Sequence, residues 1–395
     1  MCLEILLNYI TSSYVMSVMR AISIFILLFS IPQTVIRGQE SSANRSTEVY
    51  GAIELSADGA MVAALQFSKN EEEPGLKLIY SEMIKFSLAR SIDGEFSPKA
   101  SVEGASTVQK LLLRLRQEYN VPDEHIYLLG SSELGADHPQ DLVSIVNKMT
   151  GKELSFLDAA TEVQLSIVGT IPQRERVGSS WIDNRNTSVL IDLGSYNIRG
   201  GYQLLKYSPS PQYDFTTMTI PHGALSVSNQ LTKSGGLTGG WMTLIQEAKV
   251  LCAGPFREAL RKEREGKPGL FNRKRVYLTG STAWAFATLL YPDKRDNYIP
   301  LNPEDIEMFS EKVARSPWNL LNPSLSYLRD RGLRREAESE IKSVRDNFTP
   351  QQLVAAAELL KTMADELNWR EKKVYFARMG NFGCILSYIR LQAGK

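Results

Sequence analysis

Cysteine and histidine are scarce, with three of each in 395 residues. Cys2, Cys252 and Cys384 form no CxxC pair, and His125, His138 and His222 are scattered. Neither a Cys/His metal centre nor a disulfide framework is expected from that pattern. Cys252 and Cys384 read as two buried free thiols, a pairing between them being the alternative. An excess of one charge is also lacking. The 45 basic and 44 acidic residues leave a net charge of +1, which argues against a nucleic-acid binder driven by bulk charge. The apolar run near the start, Ala21–Ile31, is short. It follows Arg20, is broken by Pro32 and ends at Val35-Ile36-Arg37-Gly38. A membrane span needs about 20 apolar residues, whereas a basic start, a short apolar core and a small residue before the cut describe a secretory signal. Residues 1–38 are therefore read as a signal peptide, with an uncleaved anchor as the alternative. Residues 39–48 are read as a polar tail, and the chain is expected to be exported. Asn44-Arg45-Ser46 fits a glycosylation site only in a eukaryotic secretory setting.

The remainder is composed like a globular protein, with 43% hydrophobic and 23% charged residues overall. Tyr50–Leu55 and Met61–Phe67 read as strands around an Asp58-Gly59 turn. Leu76–Phe86 reads as a further strand. Val108, Leu111, Leu112, Leu115 and Tyr119 recur at helical steps and predict a helix over 105–119. A strand over 125–129 follows. Ala159–Thr170 reads as a helix carrying Glu162. Polar residues 172–186 read as a connecting segment. Ser188–Leu193 is then an almost continuous apolar run, as expected of a strand covered on both faces. A turn over 194–197 and a returning strand repeat the opening unit. Trp241–Glu265 reads as helix with a break at Gly254-Pro255. A strand over 275–278, a long helix over 349–367, a strand over 372–376 and a closing helix over 383–391 complete the pattern. Two halves that each begin strand–turn–strand and then alternate strands with helices predict an α/β fold of two similar lobes, 49–171 and 187–395.

Tight turns between strands offer converging backbone N–H groups to a phosphate, and small residues let it approach. The first turn presents Glu54-Leu55-Ser56-Ala57-Asp58-Gly59 and the second Asp192-Leu193-Gly194-Ser195-Tyr196-Asn197. Each places a carboxylate at a strand end, two residues before a small residue. Such a carboxylate can hold Mg²⁺ or orient a water molecule. A third turn, Thr279-Gly280-Ser281-Thr282, joins a strand to a helix and can face an anion. A plain helix cap by Ser281 or Thr282 is the simpler reading of that turn.

The order of these segments resembles the exopolyphosphatase and guanosine pentaphosphate phosphohydrolase (Ppx/GppA) family of the actin-like ATPase superfamily, over roughly Tyr50 to Ile389. The family's AIDLGSNS is similar to Ala52-Ile53-Glu54-Leu55-Ser56-Ala57-Asp58-Gly59. Its strand entering an ATSALREA-like turn resembles His125–Leu134. Its ISGxEEAxLxxxG resembles Leu157–Gly169, and its VIDIGGGSTE resembles Leu190–Arg199. Its LPLGAVRL resembles Ile220–Val227, its GGT turn resembles Gly280-Ser281-Thr282, and its closing VSDxGLREGLL resembles Tyr375–Leu386.

The resemblance implies a two-lobed α/β fold of the ribonuclease H-like kind with a cleft between the lobes. It implies hydrolysis of terminal phosphoanhydride bonds in polyphosphate or a phosphorylated nucleotide, with Mg²⁺. In that scheme Glu162 is the general base, Asp192 a second catalytic carboxylate, and Glu54 and Asp192 the metal ligands. Ser56, Ala57, Asp58, Gly194, Ser195, Gly280, Ser281 and Thr282 form the phosphate cradle. A homodimer is left open, no specific nucleic acid is expected, and membrane contact would run through the N-terminal segment alone. The sequence departs from the pattern at several places. Glu54 stands for an aspartate, and Ser56, Ala57 and Asp58 stand for glycine, serine and asparagine. Ser195 and Tyr196 stand for two glycines, Arg199 for a glutamate, and Asn381-Phe382 for an arginine–glutamate pair. These departures motivate the alternative, a catalytically silent phosphate-binding or interaction module on the same fold. The charge-rich run Arg329–Arg345 reads as a solvated helix face, or else as a groove for a polyanion.

Overall fold

The computed structural model describes residues 47–56, 59–68, 76–86, 88, 98–135, 140–177, 180–206, 212–233 and 240–394. The expected signal segment over 1–38, Asn44, most of the 39–48 tail, and Ala57 and Asp58 lie outside the described residues. The described part forms one compact unit from Thr47 onward. No helix in it is long and apolar enough to cross a membrane.

Its strands are β1 (Thr47–Ser56), β2 (Gly59–Ser68), β3 (Leu76–Lys85), β4 (Ile126–Gly130), β5 (Ser155–Phe156), β6 (Arg174–Val177), β7 (Ser180–Asp183), β8 (Ser188–Leu193), β9 (Ile198–Lys206), β10 (Gln212–Ile220), β11 (Arg275–Thr279), β12 (Tyr298–Leu301) and β13 (Lys373–Ala377). Its α-helices are α1 (Pro98–Gln117), α2 (Ser132–Gly135), α3 (Gln140–Thr150), α4 (Ala159–Thr170), α5 (Ala224–Lys233), α6 (Trp241–Leu251), α7 (Arg257–Gly266), α8 (Gly269–Asn272), α9 (Gly280–Leu290), α10 (Pro303–Arg315), α11 (Pro317–Leu321), α12 (Arg331–Asn347), α13 (Pro350–Glu366) and α14 (Gly383–Gln392).

Two large sheets share one plan. The first runs β3-β2-β1-β4-β5 and the second β10-β9-β8-β11-β13-β12. In each, a leading strand pairs antiparallel with the hairpin partner that follows it and parallel with the next strand entered from a helix. The hairpins close with Ser56 opposite Gly59 and Leu193 opposite Ile198. The internal repetition expected from the sequence is thus the repetition of the sheets.

Alternation along the strands explains how the faces are covered. In β1, Ile53 and Leu55 enter the first lobe's core beside Val108, Leu111 and Leu112 of α1. Tyr50 and Ala52, on the opposite face, pack against Ile385 and Ile389 of the C-terminal helix α14. In β8, Ile191 and Leu193 enter the larger core that includes α13. Leu190, on the other face, packs against Val163 and Ile167 of α4. The chain therefore exchanges helices between its sheets. Helix α4 leaves the first sheet to cover the second, and α14 leaves the second to cover the first. The two helices cross where Gly169 meets Gly383. A Cβ on Gly169 would lie 2.0 Å from the Gly383 carbonyl oxygen, and one on Gly383 would lie 2.2 Å from Thr170 Oγ1. Only glycine permits backbones to approach so closely.

The polar connecting segment over 172–186 holds a hairpin of its own, in which β6 and β7 pair antiparallel from Arg174 opposite Asp183 to Val177 opposite Ser180. Hydropathy gives no sign of such a hairpin, since little of it alternates. The helix over 241–265 does not break at Gly254-Pro255. A π-turn, Cys252–Phe256, carries it through. The wider turn tolerates a residue that has no N–H to give to the helical ladder.

Candidate active site

The carboxylates singled out by sequence converge where the sheets approach each other. Asp192 ends β8 on the face shared with Leu190, the face that α4 covers. Arg199 of β9 is its direct cross-strand partner, so both side chains project toward α4. Glu162 sits in the first turn of α4, which Asp158 caps by accepting a 2.9 Å hydrogen bond from the Thr161 amide. Glu54 ends β1 on the face shared with Ala52, which α14 covers.

Arg199 ties the cluster together. Its Nη1 donates to Glu162 Oε1, and its Nη2 donates to Asp192 Oδ2 at 3.0 Å. Nη1 also reaches Ser132 Oγ at 3.3 Å, on the short helix that follows β4. The second Glu162 oxygen, Oε2, accepts from the Ser132 amide at 2.9 Å. Both oxygens of Glu162 thus already accept hydrogen bonds, and its side chain is 4% exposed. Charge-assisted, forked bonds of this kind are the strong ones.

Glu54 is in a different state. It is 3% exposed, and its Oε2 has no hydrogen-bond partner. Burial, reinforced by the negative charge of Glu162, pushes its carboxyl up to about 8, with Arg199 pulling the other way. At neutral pH Glu54 is mostly protonated. Burial also raises the Asp192 carboxyl, against the opposing pull of Arg199. Cys384, at the start of α14, is buried near these groups, and desolvation together with Glu54 and Glu162 drives its thiol far up. Cys252 and Cys384 are both free and buried.

The expected phosphate cradle is only partly assembled. Ser56 turns its hydroxyl back onto the Gly59 carbonyl at 3.2 Å. Gly194 and Ser195 form the β8–β9 turn, where the Ser195 carbonyl accepts from the Leu225 amide at 2.8 Å. Ser195 Oγ and Ser281 Oγ lie 3.1 Å apart, bringing the second and third turns together. Thr282 is fully buried, and its hydroxyl has no partner. Gly280 adopts φ +90° against the Asp192 carboxylate. Its amide, however, donates to Asn381 Oδ1 at 2.8 Å, and Thr279 Oγ1 donates to the same oxygen at 2.7 Å. The third turn's leading N–H therefore faces a side chain of the protein itself.

Two further contacts draw the lobes together. Tyr196, from the second turn, packs against the first lobe's apolar core. Lys85 of β3 places its ammonium 5.2 Å from the ring centre of Trp284 in α9. Ser132 and Asn381 both fall inside stretches that resemble family motifs, but neither is among the site residues expected from the sequence. The Arg329–Arg345 run forms the polar face of α12. Nearby, Glu336 and Glu340 meet Arg295 and Arg378, as on a solvated, ion-paired surface.

The residues present do not fit the Mg²⁺ that the resemblance implies. Asp192 and Glu162 both face the guanidinium of Arg199 rather than an open space between carboxylates. Among the described residues, no group of three or more His, Cys, Asp or Glu is arranged to hold a metal ion.

Comparison by sequence finds no matching family model and no matching curated protein. Comparison by structure does find relatives. A crystal structure of the Aquifex aeolicus member of the Ppx/GppA family superposes with TM-score 0.58 at 12% identity, covering 89% of this chain and 100% of that one. An exopolyphosphatase-like protein gives TM-score 0.59 at 13% identity over 87% and 99% of the two chains. An exopolyphosphatase from Cytophaga hutchinsonii gives 0.53 at 12% identity over 87% and 98%. These superpositions establish that this chain has the two-lobed α/β fold of the Ppx/GppA proteins.

Proposed function

We propose that the site between the lobes takes a phosphorylated ligand, polyphosphate or a phosphorylated nucleotide, and holds it without hydrolysing it. The observation that carries this reading is the double engagement of Glu162 by Arg199 and the Ser132 amide. A general base must come within hydrogen-bond reach of the attacking water. Here each Glu162 oxygen already accepts a hydrogen bond from the protein, so a water has to compete with the Arg199 guanidinium and the Ser132 amide for it. Phosphate recognition is supported by the Arg199 fork, by the Ser132 hydroxyl beside it and by the paired Ser195 and Ser281 hydroxyls. The protonated state of Glu54 removes one negative charge that would oppose an anion.

Calorimetry with polyphosphate and with nucleoside tri- and tetraphosphates, alongside a phosphate-release assay, tests the reading. Binding heat without release is the expected result. Release that Glu162→Gln abolishes would overturn it in favour of a hydrolase. The absence of both would leave an interaction module. The hydrolase reading has one observation in its favour. Glu54 is a buried carboxyl with a free oxygen and a proton affinity near neutrality, the range in which proton transfer is efficient.

A further inference from the structure

We propose that Arg199 is the resident cation of this site, taking the place of the divalent metal that the resemblance implies. Ligand recognition would then be independent of metal. The inference rests on reading the interlobe site as the ligand site, and it makes a separate claim about how that site is neutralised.

Arg199 stands directly across the β8–β9 hairpin from Asp192, so pleating alone places its side chain beside that carboxylate. Helix α4 lies over the same face and brings Glu162 to the other arm of the fork. The guanidinium is 15% exposed, and its two carboxylate partners are 4% and 23% exposed. A divalent ion bound by Asp192 or Glu162 would have to displace a positive charge that is covalently tethered and held in a buried, forked geometry. It would also have to approach that charge in a medium that screens poorly. An aspartate or glutamate here would add a ligand to the carboxylate cluster. Arginine instead adds a donor and a full charge that does not titrate in proteins.

Arginine differs from a metal ion in two functional respects. It cannot coordinate a water and so cannot lower its pKa as a metal ion does, and it cannot be removed by chelation. Its planar fork matches a phosphate group as well as a carboxylate. A phosphate oxygen can therefore exchange with a Glu162 or Asp192 oxygen at the same nitrogens, with no ion in the exchange. The expected ligand is a phosphorylated group that binds as the free anion rather than as its magnesium complex.

Mn²⁺ uptake, followed by the loss of the free-ion paramagnetic signal, tests the assignment without reference to activity. The protein should take up no Mn²⁺ at this site. Arg199→Glu should create a site at least about tenfold tighter than any in the parent, through an added carboxylate and the loss of the opposing charge. Adding Asp192→Asn should remove that gain. Uptake by the unaltered protein that Asp192→Asn abolishes would overturn the proposal, as would a folded Arg199→Glu variant with no gain. If circular dichroism shows that Arg199→Glu does not fold, Arg199→Gln carries the test, since it removes the charge without adding a ligand. Uptake by that variant supports the assignment, and no uptake overturns it. Calorimetry with polyphosphate in EDTA and in Mg²⁺ separates this proposal from the ligand-binding reading. Binding that requires Mg²⁺ overturns the resident cation and leaves the ligand site standing. If no phosphorylated ligand binds, the ligand-site reading falls, and the Mn²⁺ result still decides the cation.

Discussion

The Arg199 guanidinium donates to the Glu162 carboxylate across 37 positions of sequence, with the two side chains only 15% and 4% exposed. The pair joins a strand of the second sheet to the first turn of the helix that enters from the first. Its consequences are structural as well as chemical.

Breaking this pair should be costly. Truncating one partner of a buried ion pair leaves the other charge uncompensated, which costs about 3–5 kcal/mol. Arg199→Ala is expected to destabilise the protein by that order, because it leaves the Glu162 and Asp192 carboxylates without their shared counter-charge. Combining Arg199→Met with Glu162→Gln should recover part of the loss. Urea unfolding of the single and double variants measures both effects. A loss below about 1 kcal/mol for Arg199→Ala would mean that the pair behaves like a solvent-screened surface contact.

Glu54 should give the protein a distinctive pH dependence. Its carboxyl is raised from an ordinary 4.5 to about 8 in the fold. Between those values the folded chain keeps a proton that the unfolded chain releases. The group's contribution is therefore fully present below the unfolded value and is lost as pH rises through the folded one. Stability should fall by up to about 1.4 kcal/mol per pH unit within that window. Glu54→Gln should flatten the profile, since an amide keeps the hydrogen-bonding shape and does not ionise. Thermal melting across pH 4 to 9, for both proteins, reads the difference. Parallel profiles would refute a buried, protonated Glu54.

Gly280 and Gly151 offer a contrast in what glycine does. Both adopt positive φ, +90° and +70°. A Cβ at Gly280 would lie 2.4 Å from Asp192 Oδ1, whereas one at Gly151 would meet nothing within 4 Å. Gly151→Ala should cost about 1 kcal/mol, the strain of the left-handed conformation alone. Gly280→Ala should cost at least about twice that, because the added methyl also displaces the carboxylate that Arg199 holds. The same substitution should weaken ligand binding, and Gly151→Ala should not. Chemical denaturation with parallel ligand titration checks both statements. Equal costs at the two positions would mean that the Asp192 side chain and the Leu193 backbone, 2.6 Å from the same Cβ, both yield freely.

The elements were largely legible because they are written locally. The alternation in β1 and the apolar run in β8 mark strands, and Val108, Leu111, Leu112 and Leu115 mark the face of α1 that enters the first core. The β6–β7 hairpin and the π-turn at Cys252–Phe256 were not legible. The first carries little alternation, and the second is a tolerance of Pro255 that depends on what packs around it. Among site residues, Glu162, Asp192 and Glu54 were named from motif order and do come to one region. Ser132 and Asn381 were missed because each acts through a single polar atom, and no spacing announces where such an atom will point.

The sequence by itself determined a repeated strand–turn–strand unit, its alternation with helices and the placement of carboxylates at two strand ends. Those properties follow from side-chain periodicity, which acts over a few residues and survives the loss of detailed similarity. Only the tertiary structure decided what those carboxylates do. Arg199 looks, in sequence, like one substitution in a phosphate turn. In the fold it is the charge that occupies the centre of the site. Glu54 looks like a conservative replacement, yet burial raises its pKa so that it is mostly protonated at neutral pH. The physical reason is that ionisation and pairing depend on distance and desolvation, and both are set by residues far away along the chain.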